Sequence, residues 1–395
     1  MKALILNTSL KKATVENVDR PAPGSHEILV NVRAIALNPV DELYVSSPIA
    51  AQEKRIIGTD FAGVVVASGS GISDLSDPRV KPGTRVAGFL QGASSVNERP
   101  GAFAEYIVVP FDLVWNVPDN LTLEEASTIS MCGLTAAQAL FGRLGLPRPF
   151  SPGRPVTPGD ASKITNLFIY GSSTSVGLYA AQLARIAAKA SGMSLRLIGA
   201  ASSSKHEMLR NEPYNYDFLV EYRDEDWVQK VKDTTNGNGV DLALDCISEG
   251  QTVHNTHETL TPSAKFAVIR GPVGGKYDPV LLNVKPTYGA VWEGLGVEVG
   301  YNCKRITIPL HAVIPASPDA HAFAKEFYNF LSQPLPSGRA QLEPNPVRSM
   351  PGGLERVVQD GFSLLGTGLV SERSKLERLE EYMRPISAEK LVYSL

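Results

Sequence analysis

Residues 164–192, ITNLFIYGSSTSVGLYAAQLARIAAKASG, decide the fold. The run Leu167-Phe168-Ile169-Tyr170 is short, apolar and suited to a buried strand. Gly171-Ser172-Ser173-Thr174-Ser175-Val176-Gly177 then turns the chain with small residues. Beyond it Leu178, Ala181, Leu183, Ala184, Ile186 and Ala187 make an apolar stripe at helical spacing. Strand, tight turn and helix in that order aim loop amides and a helix N-terminus at an anion. The expected ligand is a dinucleotide pyrophosphate. The usual G-x-G-x-x-G lacks its middle glycine here. Hydroxyls of Ser172, Ser173, Thr174 and Ser175 stand in the loop instead and can meet phosphate beside the backbone. An ordinary β–α turn is the alternative that the loop alone leaves open.

Downstream the pattern repeats. Strands are expected over 195–200, 216–221, 240–246 and 265–269, with helices over 205–210, 227–234 and 253–260 between them. Such alternation implies a parallel, doubly wound sheet. Upstream, short strands over 1–7, 15–18, 27–36, 61–68 and 101–109 are separated by Gly/Pro turns such as Val80-Lys81-Pro82-Gly83, which implies a small barrel. A helix is expected over 126–144. Residues 146–160 hold five prolines in fifteen positions and read as a surface loop. The last part is mixed: helices over 321–331 and 354–365, a Pro-rich connection over 335–351, and a closing strand over 389–394. The fold class is therefore α/β, a β-barrel domain joined to a doubly wound sheet.

Bulk composition narrows the function. The chain has 395 residues, 43% hydrophobic and 20% charged, as globular proteins do. A net charge of −3 carries no electrostatic footprint for nucleic acid or anionic membrane. No apolar run approaches the ~18–20 residues of a membrane span. Three scattered cysteines, Cys132, Cys246 and Cys303, fit a reducing compartment, so a cytoplasmic protein is expected. Those cysteines lack ligand spacing, and the close pair His254 and His257 falls on an expected surface helix, so no metal is expected.

Four stretches carry a family resemblance: Gly58-Thr59-Asp60-Phe61-Ala62-Gly63, Val80-Lys81-Pro82-Gly83-Thr84-Arg85-Val86, Gly101-Ala102-Phe103-Ala104-Glu105-Tyr106 and Glu389-Lys390-Leu391-Val392. The chain resembles the medium-chain dehydrogenase/reductase superfamily in its zinc-free, quinone-oxidoreductase-like branch. Gly133-Leu134-Thr135-Ala136, Glu221-Tyr222-Arg223 and Asp245-Cys246-Ile247 resemble, more particularly, the fungal trans-acting enoyl reductases of polyketide biosynthesis. The resemblance implies a discontinuous GroES-like catalytic domain over 1–130 and 321–395, and a Rossmann domain over 131–320. It places Thr59 and Asp60 where zinc members carry His and Glu after Gly58, which again argues against metal.

The implied cofactor is NADPH. At the end of the second strand, Ser202, Ser203 and Lys205 follow without an acid, and such donors suit a 2′-phosphate. The same serines also suit a helix cap. By resemblance Tyr222 joins this site, Ile269 and Arg270 approach the nicotinamide, and Asn38, Val40, Asp41, Ala388 and Glu389 border the cofactor. The implied reaction adds hydride to an enoyl thioester, so a donor must face the developing enolate and an acid must protonate the α-carbon. Thr135 is the first candidate, with a helix hydroxyl bonded to its own backbone as the alternative. Relatives commonly carry a lysine two residues past the Asp of Asn-Pro-x-Asp, whereas this chain has Leu43. The neighbouring Tyr44 is the second catalytic candidate, although a strand-like stretch would turn it away from the Leu43 side. Ala136, Gly289, Val291 and Trp292 are the implied substrate wall, a core aromatic being the alternative for Trp292. The expected function is an NADPH-dependent trans-acting enoyl reductase working on a carrier-tethered or free polyketide, with a polyketide synthase or hybrid peptide synthetase as partner. A reductase of a free quinone or enone, and a non-redox NADPH-binding cyclase or sensor, are the competing readings.

Overall fold

A computed structural model describes residues 1–150, 163–301, 312–367, 369–370 and 378–395. Cys303 and most of the expected Pro-rich loop lie outside these. The chain divides into two compact units, one of residues 1–131 with 292–395 and one of residues 132–291. The return to the first unit thus comes at Trp292, ahead of the expected residue 321.

In the second unit six parallel strands lie in the order Phe218–Glu221, Ser194–Ala201, Ile164–Tyr170, Val240–Asp245, Leu260–Val268, Thr287–Tyr288. Counted along the chain this is 3-2-1-4-5-6, the doubly wound order whose switch point lies beside the first strand. Leu167, Phe168 and Ile169 of that strand are fully buried, which is why it reads as a continuous apolar run rather than an alternating one. The helix Ser175–Ser191 follows, capped by the Thr174 side chain and ended at Gly192 with φ 70°, a left-handed stop. On another side of the core Trp227 stacks on Phe168, ring centres 5.8 Å apart.

In the first unit the strand Glu27–Ala36 is central. One side pairs with Asp60–Ser68. Its other side is shared, residues 27–31 with Tyr106–Pro110 and residues 34–36 with Lys390–Ser394. Arg85–Phe89 and Val114–Asn116 extend the sheet at one edge and Val347–Met350 at the other. A separate three-stranded sheet joins Lys12–Asn17, Lys2–Asn7 and Lys54–Ile56. Along the central strand Ile28, Leu29, Val30, Val32, Ala34, Ile35 and Ala36 are buried, so it is apolar on both faces over most of its length.

Three expectations are corrected. The stretch after Asn38 is not strand-like but a helix, Pro39–Ser46: proline at its first position needs no amide partner, and the Asp41 carboxylate reaches back to the Asn38 amide at 2.7 Å. The connection 335–351 contains the strand Val347–Met350, tolerated between prolines because it lies at a sheet edge. The strand expected over 101–109 begins only at Tyr106. Residues 101–103 instead fold back onto Ile56 and Ile57 through the Gly101 and Phe103 amides.

Candidate functional site

At the carboxyl end of the parallel sheet, the loop from Gly171 to Gly177 is held by its own backbone. Gly171 has φ 75°, open to glycine without strain. A side chain at Gly177 would put Cβ 2.4 Å from the Gly171 carbonyl oxygen and 2.8 Å from that of Ser172, so helix and strand can approach only with glycine here. Two of the four hydroxyls are consumed locally. Ser172 is fully buried and donates to the Ile169 carbonyl at 2.8 Å. Thr174 donates to the Gly171 carbonyl at 2.8 Å and accepts the Gly177 amide at 3.1 Å. Ser173 and Ser175 remain half-exposed. The Ser175 and Val176 amides, in the first turn of a long helix, have no hydrogen-bond partner among the described residues. Open amides, the positive helix end and a loop without carboxylates fit a pyrophosphate.

Next to it, the end of the second strand carries more than the sequence suggested. Ser202 stands at the N-cap position of a short helical turn, Ser203–Lys205, without a side-chain bond to it. Glu221, from the end of the neighbouring strand, accepts the Ser203 amide at 2.6 Å, and Arg223 donates to Glu221 at 3.0 Å and to the Ser202 hydroxyl at 3.2 Å. The Arg223 guanidinium also lies 4.3 Å from the centre of the Tyr222 ring. The expectation that no acid stands here holds for the second strand alone, since Glu221 supplies one from its neighbour. On the far side of the sheet end, Asp245 is buried and its pKa is raised to about 6 by desolvation, against bonds from Thr252, Ser248 and Ile247 that favour the charged form. Arg270, beside Ile269, is paired with Glu249 at 2.8 Å. Thr135 lies half-exposed on the helix Ser130–Ala137, which continues as a π-helical stretch, Gln138–Arg143; Ala136 next to it is fully buried. Gly289 is covered by the Arg143 guanidinium, and Val291 is buried.

In the first unit a polar cluster lies inside the sheet. The Asp60 carboxylate receives Lys390 Nζ at 2.5 Å, Asn38 Nδ2 at 2.8 Å and the Met131 amide at 2.9 Å. Thr59 links the Asn38 amide group, at 2.8 Å, to Asp41, at 3.1 Å. Asp41 is fully buried. Burial lifts its pKa to about 8, although the Asn38 and Thr59 bonds pull the other way. Its Oδ1 has no partner among the described residues, as suits a carboxyl that keeps its proton at neutral pH. Asn38 and Asp41 therefore build the helix start, while Val40 is half-exposed beside them. Tyr44 is buried on this helix. Its hydroxyl accepts from Gln91 at 3.4 Å, and its ring lies 6.2 Å from that of Trp292, which also meets Phe89 at 5.9 Å. Trp292 thus belongs to an aromatic cluster of this unit. Ala388 is left-handed, φ 57°, and the Glu389 carboxylate is held by Arg348 and Arg384. Among the described residues no three His, Cys, Asp or Glu side chains gather as a metal site. His257 instead accepts the Asn283 and Val284 amides through Nε2.

Sequence reasoning missed Glu221 and Lys390 as site-builders, because both act across strands. The cap at Asn38 was visible, since Asn-Pro-x-Asp is a helix start with an acid three residues after its cap.

A doubly wound nucleotide-binding unit inserted into a GroES-like sheet defines a nicotinamide-dependent oxidoreductase of the medium-chain type. The alcohol dehydrogenase GroES-like domain family matches residues 24–119, and the zinc-binding dehydrogenase family matches residues 175–288. Trans-enoyl reductase opdC of Penicillium oxalicum is 31% identical over 89% of each chain. Trans-enoyl reductase ACTTS2 of Alternaria alternata is 29% identical over 94% of this chain and 96% of its own. The CurK enoyl reductase structure shares the fold with a TM-score of 0.68 at 18% identity, covering 100% of this chain and 98% of its own. The chain belongs to the medium-chain dehydrogenase/reductase superfamily and, within it, to the family of the fungal trans-enoyl reductases.

Proposed function

We propose that this protein is an NADPH-dependent trans-acting enoyl reductase that reduces an α,β-unsaturated polyketide thioester held by a partner synthase. The observation that carries the reading is family membership across nearly the whole chain, joined to a phosphate loop whose Ser175 and Val176 amides stand open. A reduced nicotinamide, when bound, supplies the hydride for the β-carbon. The chain's own residues bind and polarise. Ser173, Ser175 and Val176 hold the pyrophosphate. Ser202, Lys205 and Tyr222 favour a 2′-phosphate. Thr135 donates to the thioester oxygen, where negative charge develops. Tyr44, buried with its hydroxyl beside Gln91, shapes the fold rather than delivering the proton, so solvent is the proton source in this reading. Nothing in the arrangement calls for a metal: the position after Gly58 is filled by Thr59 and Asp60, and Asp60 is paired with Lys390.

Leu43, half-buried on the helix Pro39–Ser46, neither donates a proton nor holds an enolate, which keeps a non-redox NADPH-binding role as a competing reading beside a reductase of a free quinone or enone. Nicotinamide absorbance followed with crotonyl-pantetheine and then with a quinone separates the three. Oxidation of NADPH by the thioester alone is expected, with kcat in Thr135→Val down by about 10²–10³. Oxidation by the quinone alone overturns the enoyl assignment, and tight NADPH binding without turnover of either points to a non-redox role.

A further inference from the structure

We infer that Arg223 is the specificity-determining residue for the cofactor's 2′-phosphate, held ready by Glu221. This rests on the NADPH reading above and deepens it. Four contacts converge at the ends of two adjacent strands. The Arg223 guanidinium donates to the Ser202 hydroxyl at 3.2 Å and to Glu221 at 3.0 Å, and lies 4.3 Å from the Tyr222 ring centre; Glu221 accepts the Ser203 amide at 2.6 Å. A planar guanidinium fixed on one face by an aromatic ring and on one edge by a carboxylate keeps its remaining N–H groups free to point outward.

Charge decides which ribose this place accepts. An unpaired carboxylate at the end of the second strand would take a 2′-hydroxyl and repel a 2′-phosphate. Glu221 is not unpaired: one oxygen holds Arg223 and the other holds the Ser203 amide. Burial alone would raise the Glu221 carboxyl, and those bonds outweigh it, so its pKa lies below the usual value. The next acids along the chain are Asp224, Glu225 and Asp226; Asp224 and Asp226 are engaged by Lys230, and Glu225 is exposed to solvent. Glu221 is balanced by Arg223, and Lys205 follows Ser202 three residues on, a donor set that suits a dianionic phosphate and gives no advantage to a hydroxyl. The Arg223 side chain is 61% exposed and that of Glu221 18%, so the arginine is the member a ligand reaches.

The test is equilibrium binding of NADP⁺ and NAD⁺ to the full chain, with 2′-AMP and 5′-AMP as competitors, for the wild type, Arg223→Met and Arg223→Lys. Losing a charge-assisted bond to phosphate weakens NADP⁺ by about 10–100-fold in Arg223→Met. NAD⁺ is unchanged, which also reports that the fold is intact. Competition by 2′-AMP falls while that by 5′-AMP stays, and Arg223→Lys recovers part of the loss. A wild type that binds NAD⁺ as tightly as NADP⁺ overturns the cofactor reading and this inference with it. A wild-type preference for NADP⁺ that survives intact in Arg223→Met, or an equal loss for both cofactors, overturns the role of Arg223 alone.

Discussion

Replacing Lys390 by Met removes one charge from a pair that water does not reach. The Lys390 and Asp60 side chains are 3% and 0% exposed, with 2.5 Å between Nζ and Oδ2. In the variant Asp60 keeps the Asn38 side-chain amide and the Met131 backbone amide. Both donors are neutral, so the carboxylate loses its only counter-charge at short range among the described residues. Breaking a buried pair from one side costs about 3–5 kcal/mol. For a unit of 150–250 residues each kcal/mol moves Tm by about 2–4 °C, so the unfolding step of the first unit falls by about 6–20 °C. Removing both charges, as in Asp60→Asn with Lys390→Met, leaves nothing uncompensated and recovers most of that loss. Calorimetry on the wild type, both single variants and the double variant is the assay, read by transition because two units need not unfold together. A Lys390→Met loss of less than about 1 kcal/mol, the value of an exposed pair, rules out a desolvated charge pair at this place. So does a double variant no more stable than Lys390→Met.

Three further outcomes follow from the geometry. Gly177→Ala forces Cβ to 2.4 Å from the Gly171 carbonyl, so the phosphate loop shifts, and dinucleotide affinity measured by fluorescence titration drops at least about tenfold; unchanged affinity contradicts the loop assignment. The Asp41 carboxyl has a folded pKa of about 8 against 3.8 unexposed to the fold, so the native state keeps a proton that the unfolded chain gives up, and stability falls as pH rises through that window. Asp41→Asn flattens this slope, and urea midpoints near pH 5 and pH 8 that differ as much in the variant as in the wild type count against it. Thr174→Ala removes the side-chain acceptor for the Gly177 amide and costs about 1 kcal/mol in the same denaturation measurement, where no loss means the cap is idle.

The parts of the fold legible in the sequence are those fixed by local pattern. Leu167–Tyr170 reads as a strand because a central parallel strand is apolar on both faces, and the helix after Thr174 reads from its stripe and cap. Pro39–Ser46 was legible too, yet the apolar residues Val40, Leu43 and Val45 mimic a strand when the cap is overlooked. Val347–Met350 was not legible, since four residues between prolines carry no period. At the candidate site the loop glycines announce themselves, but the fate of each hydroxyl does not. Ser172 turns inward because the Ile169 carbonyl lies beneath it, a fact of the folded turn alone. Glu221 meets Ser203, eighteen residues before it, only because their two strands lie side by side, and Lys390 meets Asp60 across 330 residues. Contacts of that kind have no local signature.

The strand Lys390–Ser394 has a consequence for how the chain is made. It pairs with residues 34–36, so the sheet of the first unit waits, incomplete, while the ribosome issues the whole of the second. The second unit is continuous and has every strand it needs once Val291 has emerged. Synthesis therefore delivers a finished nucleotide-binding unit to a nascent chain whose first sheet still shows an open edge at Ala34–Ala36. For that interval the second unit has all its strands, while the first sheet, with residues 1–131 already made, still lacks Val347–Met350 and Lys390–Ser394.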